Sequence, residues 1–63
     1  MDLTSRESQV VSLMSKGKTY LQIAEDLGIG FETVKTYVSR VKKKTGYRSK
    51  VLIVLWAKEK GII

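Results

Sequence analysis

The 63-residue chain has no cysteine, no histidine and no proline, and each absence closes a class of structures. Without cysteine there are neither disulfides nor thiolate metal sites to prop up a small core. Without histidine the commonest metal ligand and a common general base are gone. Without proline no helix is interrupted, and 43% apolar residues suit an all-helical bundle. Long apolar runs are also missing. The longest, Val51 to Ala57, has seven residues, against the roughly 18 that a bilayer span needs. The N-terminus opens on Met1-Asp2, without the basic and then apolar stretch of a signal peptide. Catalysis is not expected. No phosphate-cradling glycine loop is visible, and the adjacent Glu25 and Asp26 would point about 100° apart on a helix, too divergent for a catalytic dyad. The expectation is one soluble cytoplasmic domain over residues 1–63, with no cofactor, metal or small-molecule ligand.

What is present is positive charge, unevenly placed. The net charge is +6. Residues 1–32 carry more acids than bases, whereas residues 33–50 carry Lys35, Arg40, Lys42, Lys43, Lys44, Arg48 and Lys50 with no acid at all. Such a window is expected of a face that meets a polyanion. A solvated lysine-rich helix face would give the same composition, so charge alone leaves both readings open.

Start and stop signals mark helices at about residues 5–16, 20–27, 31–45 and 50–60. Thr4-Ser5-Arg6-Glu7 and Thr19-Tyr20-Leu21-Gln22 both read as capping boxes. Val10, Leu13 and Met14 make the inner stripe of the first helix, which Gly17 stops. Ile23, Ala24 and Leu27 do the same for a short second helix closed by Gly28. Gly28-Ile29-Gly30 then forms a sharp corner with one apolar residue tucked inward. Val34, Val38 and Val41 line the third helix at spacings of four and three residues, and Gly46 closes it. The last segment, from a Ser49 cap, is apolar throughout Val51–Ala57, so periodicity does not separate helix from buried strand. Helix is the reading, because a lone strand would have no partner in this chain.

A short helix, a tight turn and a second helix with an apolar inner stripe make a helix-turn-helix over about residues 20–39. In that motif the second helix lies in the major groove with its N-terminal half against base edges. Here that half offers Lys35, Thr36, Ser39 and Arg40 for bases. Lys18, Thr19, Thr33, Tyr37 and Lys43 suit contacts to the phosphate backbone. Blander roles stand beside these: Thr19 as an N-cap, Tyr37 as packing beside Val38 and Val41, and Lys42 to Lys44 as solvated surface. Trp56 reads as core rather than as a stacking platform.

Leu3-Thr4-x-Arg6-Glu7, Gly17, Ile23-Ala24-x-x-Leu27-x-Ile29, Thr33-Val34-Lys35-x-Tyr37-Val38, Lys44-x-Gly46, Arg48-Ser49-Lys50-Val51 and the closing Gly61-Ile62-Ile63 together resemble the LuxR/FixJ/GerE-type helix-turn-helix domain. The resemblance runs the length of the chain without a gap. It implies a four-helix DNA-binding domain of a bacterial transcription regulator, whose third helix reads bases from the positions of Lys35, Thr36 and Ser39. It also implies backbone contacts near Thr19, Thr33 and Tyr37, and a fourth helix that often mediates dimer contacts. Three positions depart from the family pattern. Gly30 stands where a serine usually caps the third helix, Tyr37 where histidine is common, and Thr45 where leucine is usual. Such domains commonly follow a receiver or ligand-sensing domain, so a natural minimal regulator and an excised C-terminal domain both stay open.

Seven consecutive apolar residues cover every face of a helix, and so small a domain can bury only one. Some of Leu52, Ile53, Leu55 and Trp56 are therefore expected at the surface as a homodimer interface on a pseudo-palindromic, nucleoid-borne operator. Double-stranded DNA is the expected partner, with RNA polymerase a further candidate. Two other functions compete: a promoter-recognition module like sigma region 4, and a protein-interaction module that captures a partner regulator through the fourth helix.

Overall fold

The computed structural model describes residues 2–63, and all regular structure among them is helical. The helices are α1 (Ser5–Ser15), α2 (Tyr20–Leu27), α3 (Phe31–Thr45) and α4 (Lys50–Glu59). Both expected capping boxes form. The Glu7 N–H donates to the Thr4 hydroxyl at 3.2 Å, and the Thr4 N–H to Glu7 Oε1 at 2.9 Å. Thr19 and Gln22 repeat the exchange at 3.2 and 2.9 Å. α4 is a helix rather than a strand, capped by a long 3.5 Å bond from the Leu52 N–H to Ser49 Oγ. α1 and α4 each stop one residue short of the expected end. At α1 the Lys16 N–H turns back to the Leu13 carbonyl and Gly17 takes φ 81°, a left-handed backbone that favours glycine.

The interior has two parts. Val10, Met14, Ile23, Ala24, Val34 and Val38 join α1, α2 and α3. Val11, Val41, Ile53 and Ala57 join α1, α3 and α4. Fully buried side chains of α1 and α3 enter both parts, with Val54 of α4 packing at the edge of the first, so α1 and α3 form the frame on which the shorter helices lean. Leu13, Leu27 and Ile29 pack at the edge of the first part, as their spacing predicts. Thr45, in place of the usual apolar residue, satisfies its corner by polar means: its hydroxyl donates to the Val41 carbonyl and accepts from the Tyr47 N–H.

Two placements depart from the sequence-based expectation. Ile53, assigned to the dimer surface, is 0% exposed, because with Ala57 one turn on it forms the stripe that closes the second part of the core. It therefore cannot contribute to an interface in the folded monomer. The second departure is Lys44, whose ammonium turns inward to Glu7 Oε1 at 2.6 Å and to the Asp2 carbonyl at 3.4 Å.

Glu7 is 1% exposed, the one buried charged side chain among the described residues. Burial is the largest influence on its pKa and pushes it upward. The Lys44 hydrogen bond, the Thr4 N–H, the attraction of the Lys44 charge and the Thr4 hydroxyl together outweigh burial, and the carboxyl ends below its ordinary value. A depressed carboxyl contributes stability that is present above the unfolded-state pKa and lost as pH falls through the folded one. Replacing Lys44→Met should destabilise the domain by about 2 kcal/mol at pH 7, because a buried carboxylate loses its counter-charge. Urea unfolding of both proteins should show that difference shrinking toward pH 3. A difference independent of pH would make Lys44 a packing residue only.

Candidate nucleic-acid interface

α2 and α3 meet through a corner of three residues. Gly28 sits at φ 66°, and the Ile29 N–H bonds back to the Ala24 carbonyl at 3.0 Å. This closes α2 and drops Ile29 against the core before Gly30 opens α3. Gly30 offers no side-chain cap. α3 has 15 residues, and its buried stripe is Val34, Val38 and Val41. At about 100° per residue, the stripe opposite those valines runs through Glu32, Thr36, Ser39 and Lys43, all exposed. Lys35 and Arg40 flank it.

Two shallow clefts follow this outer face. One, at the N-terminal half of α3, is lined by Glu32, Thr33, Thr36, Tyr37 and Arg40. It brings together four of the residues expected at DNA. The other, at the C-terminal end, is lined by Ser39, Lys42, Lys43, Gly46 and Arg48, with no acid in its wall. Tyr37 takes the packing role weighed for it. It is half-buried beside the first part of the core, and the Arg40 guanidinium lies over its ring, 5.9 Å from the centroid. Such a stack steadies a long cation while leaving its donors outward.

The remaining assignments fare unevenly. Thr36 is exposed, and its hydroxyl donates to the Glu32 carbonyl at 3.1 Å. Thr19 is both exposed and an N-cap, with its hydroxyl hydrogen still available to a phosphate. Lys18 is drawn along α2 instead, with its ammonium 2.8 Å from Asp26 in the last turn. Lys35 lies 3.4 Å from Glu32 and over the Phe31 ring, 5.6 Å from the centroid. Spacing within α3 already placed Glu32 beside Thr36, yet a search for basic and hydroxyl groups passes over an acid. Arg48 was legible only as charge, because it joins Lys42 and Lys43 through the turn at Gly46.

On α4 the exposed apolar residues are Val51, Leu52 and Leu55, at 67%, 46% and 50% exposure. Val51 joins the expected set, and Trp56 stays half-buried against the second part of the core. No helix among the described residues is long and apolar enough to cross a membrane.

A short capped helix, a three-residue corner and a longer helix held by one face define a helix-turn-helix module, here braced by a helix on either side in sequence. Residues 1–57 match the family described as GerE, bacterial regulatory proteins, luxR family, and the chain belongs to that family. It is a family of regulators, not of enzymes. The transcriptional regulatory protein DesR of Bacillus subtilis is 36% identical over 59 residues, which cover 94% of this chain and 30% of that protein. The HTH-type transcriptional activator RamA of Corynebacterium glutamicum is 36% identical over 61 residues, covering 97% and 22%. The DNA-binding transcriptional activator DevR/DosR of Mycobacterium tuberculosis is 37% identical over 57 residues, covering 90% and 26%. The chain thus spans less than a third of the length of these relatives.

Gly30 invites a direct test of how α3 is set. Its φ of −73° and ψ of 153° suit any capping residue, and an added Cβ would meet only Thr33 Oγ1, at 3.7 Å. Gly30→Ser should stabilise the domain by about 0.3–1 kcal/mol through a new cap bond and a stiffer unfolded chain. A higher urea midpoint with unchanged slope would show it; a lower midpoint would mean that the corner depends on glycine.

Proposed function

We propose that this domain is a sequence-specific DNA-binding module that lays α3 in the major groove and acts as a homodimer on a two-fold operator. One observation carries the reading. The face of α3 opposite its valine stripe takes no part in packing and presents hydroxyl and basic side chains, with one acid, Glu32, in its first turn. Lys35, Thr36, Ser39 and Arg40 are the base-reading set, since Lys and Arg donate to guanine acceptors and a threonine methyl can meet thymine. Thr19, Thr33, Tyr37, Lys43 and Arg48 fix the register on phosphates. Lys18 has a weaker claim, because Asp26 already holds it.

Membership of the luxR family supports regulation of transcription over the promoter-recognition reading of the sigma type. Capture of a partner regulator through α4 makes a different forecast. Binding to DNA through several cations weakens steeply with salt, by a log–log slope of about −0.9 per phosphate contacted, whereas an apolar contact hardly responds.

Two sets of substitutions separate the roles. Lys35→Ala should relax preference at one or two positions of a selected motif. Lys43→Ala should weaken binding evenly on all duplexes and reduce the salt slope by about 1. Fluorescence-anisotropy titrations at two salt concentrations, on selected and scrambled duplexes, measure both. If the two variants behaved alike, the division between base-reading and phosphate-binding residues would be wrong.

For the dimer, Val51 and Leu55 lie one helical turn apart and, with Leu52, form an exposed apolar face on α4. Leu55→Glu should leave the helical circular dichroism unchanged and shift self-association to higher concentration by at least about tenfold. Sedimentation equilibrium reads this directly. A wild-type chain that stays monomeric at high micromolar concentration, with and without operator, would remove the dimer from the reading.

A further inference from the structure

The acid in the outward stripe of α3 has no packing role, and on simple electrostatics it is out of place. Glu32 has an 83% exposed side chain in the first turn of α3, in the half that the proposed docking turns toward the bases. A helix dipole favours an acid anywhere in that turn. Positions 31 and 33 would serve the helix equally well and lie to either side of the outward stripe. A carboxylate on the stripe itself must enter a groove walled by phosphates, so it weakens binding to DNA in general.

Its neighbours indicate what it can gain there. Lys35 Nζ lies 3.4 Å from Glu32 Oε2, so a strong donor and a strong acceptor sit side by side on one patch of α3. Thr36 holds the turn beneath them through its bond to the Glu32 carbonyl. The major-groove edge of a guanine–cytosine pair offers the matching arrangement: the O6 and N7 acceptors of guanine next to the N4 donor of cytosine. An ammonium gains more from guanine's two acceptors than from the single N7 of adenine.

We propose that Glu32 is a specificity-determining residue, whose carboxylate accepts from the N4 amino group of a cytosine beside the guanine acceptors met by Lys35. The inference rests on the reading that α3 occupies the major groove. On a matching pair both side chains are satisfied in place of each other. On an adenine–thymine pair the N6 donor sits between the N7 and O4 acceptors, not beside two adjacent acceptors, so the carboxylate and Lys35 are not both satisfied as they are on guanine–cytosine. Glu32 thus sharpens selection by penalising wrong sites.

Selection from a random duplex pool with the wild-type chain, Glu32→Ala, Glu32→Gln and Lys35→Ala tests this. Glu32 is exposed, so the variants keep the fold, which circular dichroism verifies. The wild type should enrich a guanine–cytosine pair at one position of each half-site. Glu32→Ala should lose that preference by about five-fold or more, keep the rest of the motif, and bind unselected duplex more tightly. Glu32→Gln, which keeps an acceptor without the charge, should retain part of the preference. If Glu32→Ala selects the wild-type motif and merely binds everything more tightly, Glu32 is a repellent and not a reader. The same result with a motif altered by Lys35→Ala overturns the Glu32 inference alone. A motif indifferent to both residues, or none from the wild type, overturns the placement of α3 as well.

Discussion

The arrangement at the DNA side depends on one constraint: α3 is gripped along a single stripe. Val34, Val38 and Val41 are essentially fully buried, and they belong to both parts of the core. Each such side chain contributes about 1.5–3 kcal/mol when removed from water. Three in register are enough to fix the helix's rotation about its own axis. Once that rotation is fixed, the identity of every outward residue follows from the helical repeat. The Glu7–Lys44 pair adds what valines cannot, a directional link from the start of α1 to the last turn of α3. Apolar contacts resist separation of two helices but resist sliding less well. A short ion pair with shared hydrogen bonds fixes the register along the axis.

That link also changes how the basic window is used. Of its seven cations, Lys44 is spent inside the domain and Lys35 is shared with Glu32. Arg40, Lys42, Lys43, Arg48 and Lys50 form no ion pair among the described residues. Lys50 lies over the Tyr20 ring, away from the α3 clefts; the other four line those clefts, whose charge is graded along the helix. The C-terminal end is purely basic and suited to phosphate of any sequence. The N-terminal end mixes an acid, hydroxyls and cations, and is suited to discrimination. On the proposed docking, affinity and selectivity would fall at opposite ends of one helix.

Most of the fold was legible in the sequence because its signals are local. Caps at Thr4, Thr19 and Ser49, stops at the glycines and the valine spacing each act within one or two turns. What escaped was nonlocal or ambiguous. Glu7 was legible only as the acid of a capping box; its burial beside Val10, Val11 and Met14, and its partner 37 residues away, were not. The apolar run of α4 contained no polar position to mark its outer face, and so Ile53 could not be told from Val51 until the packing against Val11 and Val41 was seen. At the interface, the hydroxyl and basic positions were readable from helical geometry alone. The cluster of Arg48 with Lys42 and Lys43 needed the turn at Gly46, and Glu32 is of a type that a search for DNA contacts overlooks.

The connections between helices are no longer than four residues each. Short closures cost little chain entropy, and small helical domains fold in roughly microseconds to milliseconds. An opening of this domain is therefore brief compared with the lifetime of most protein–DNA complexes, and the chain regains its reading surface without assistance.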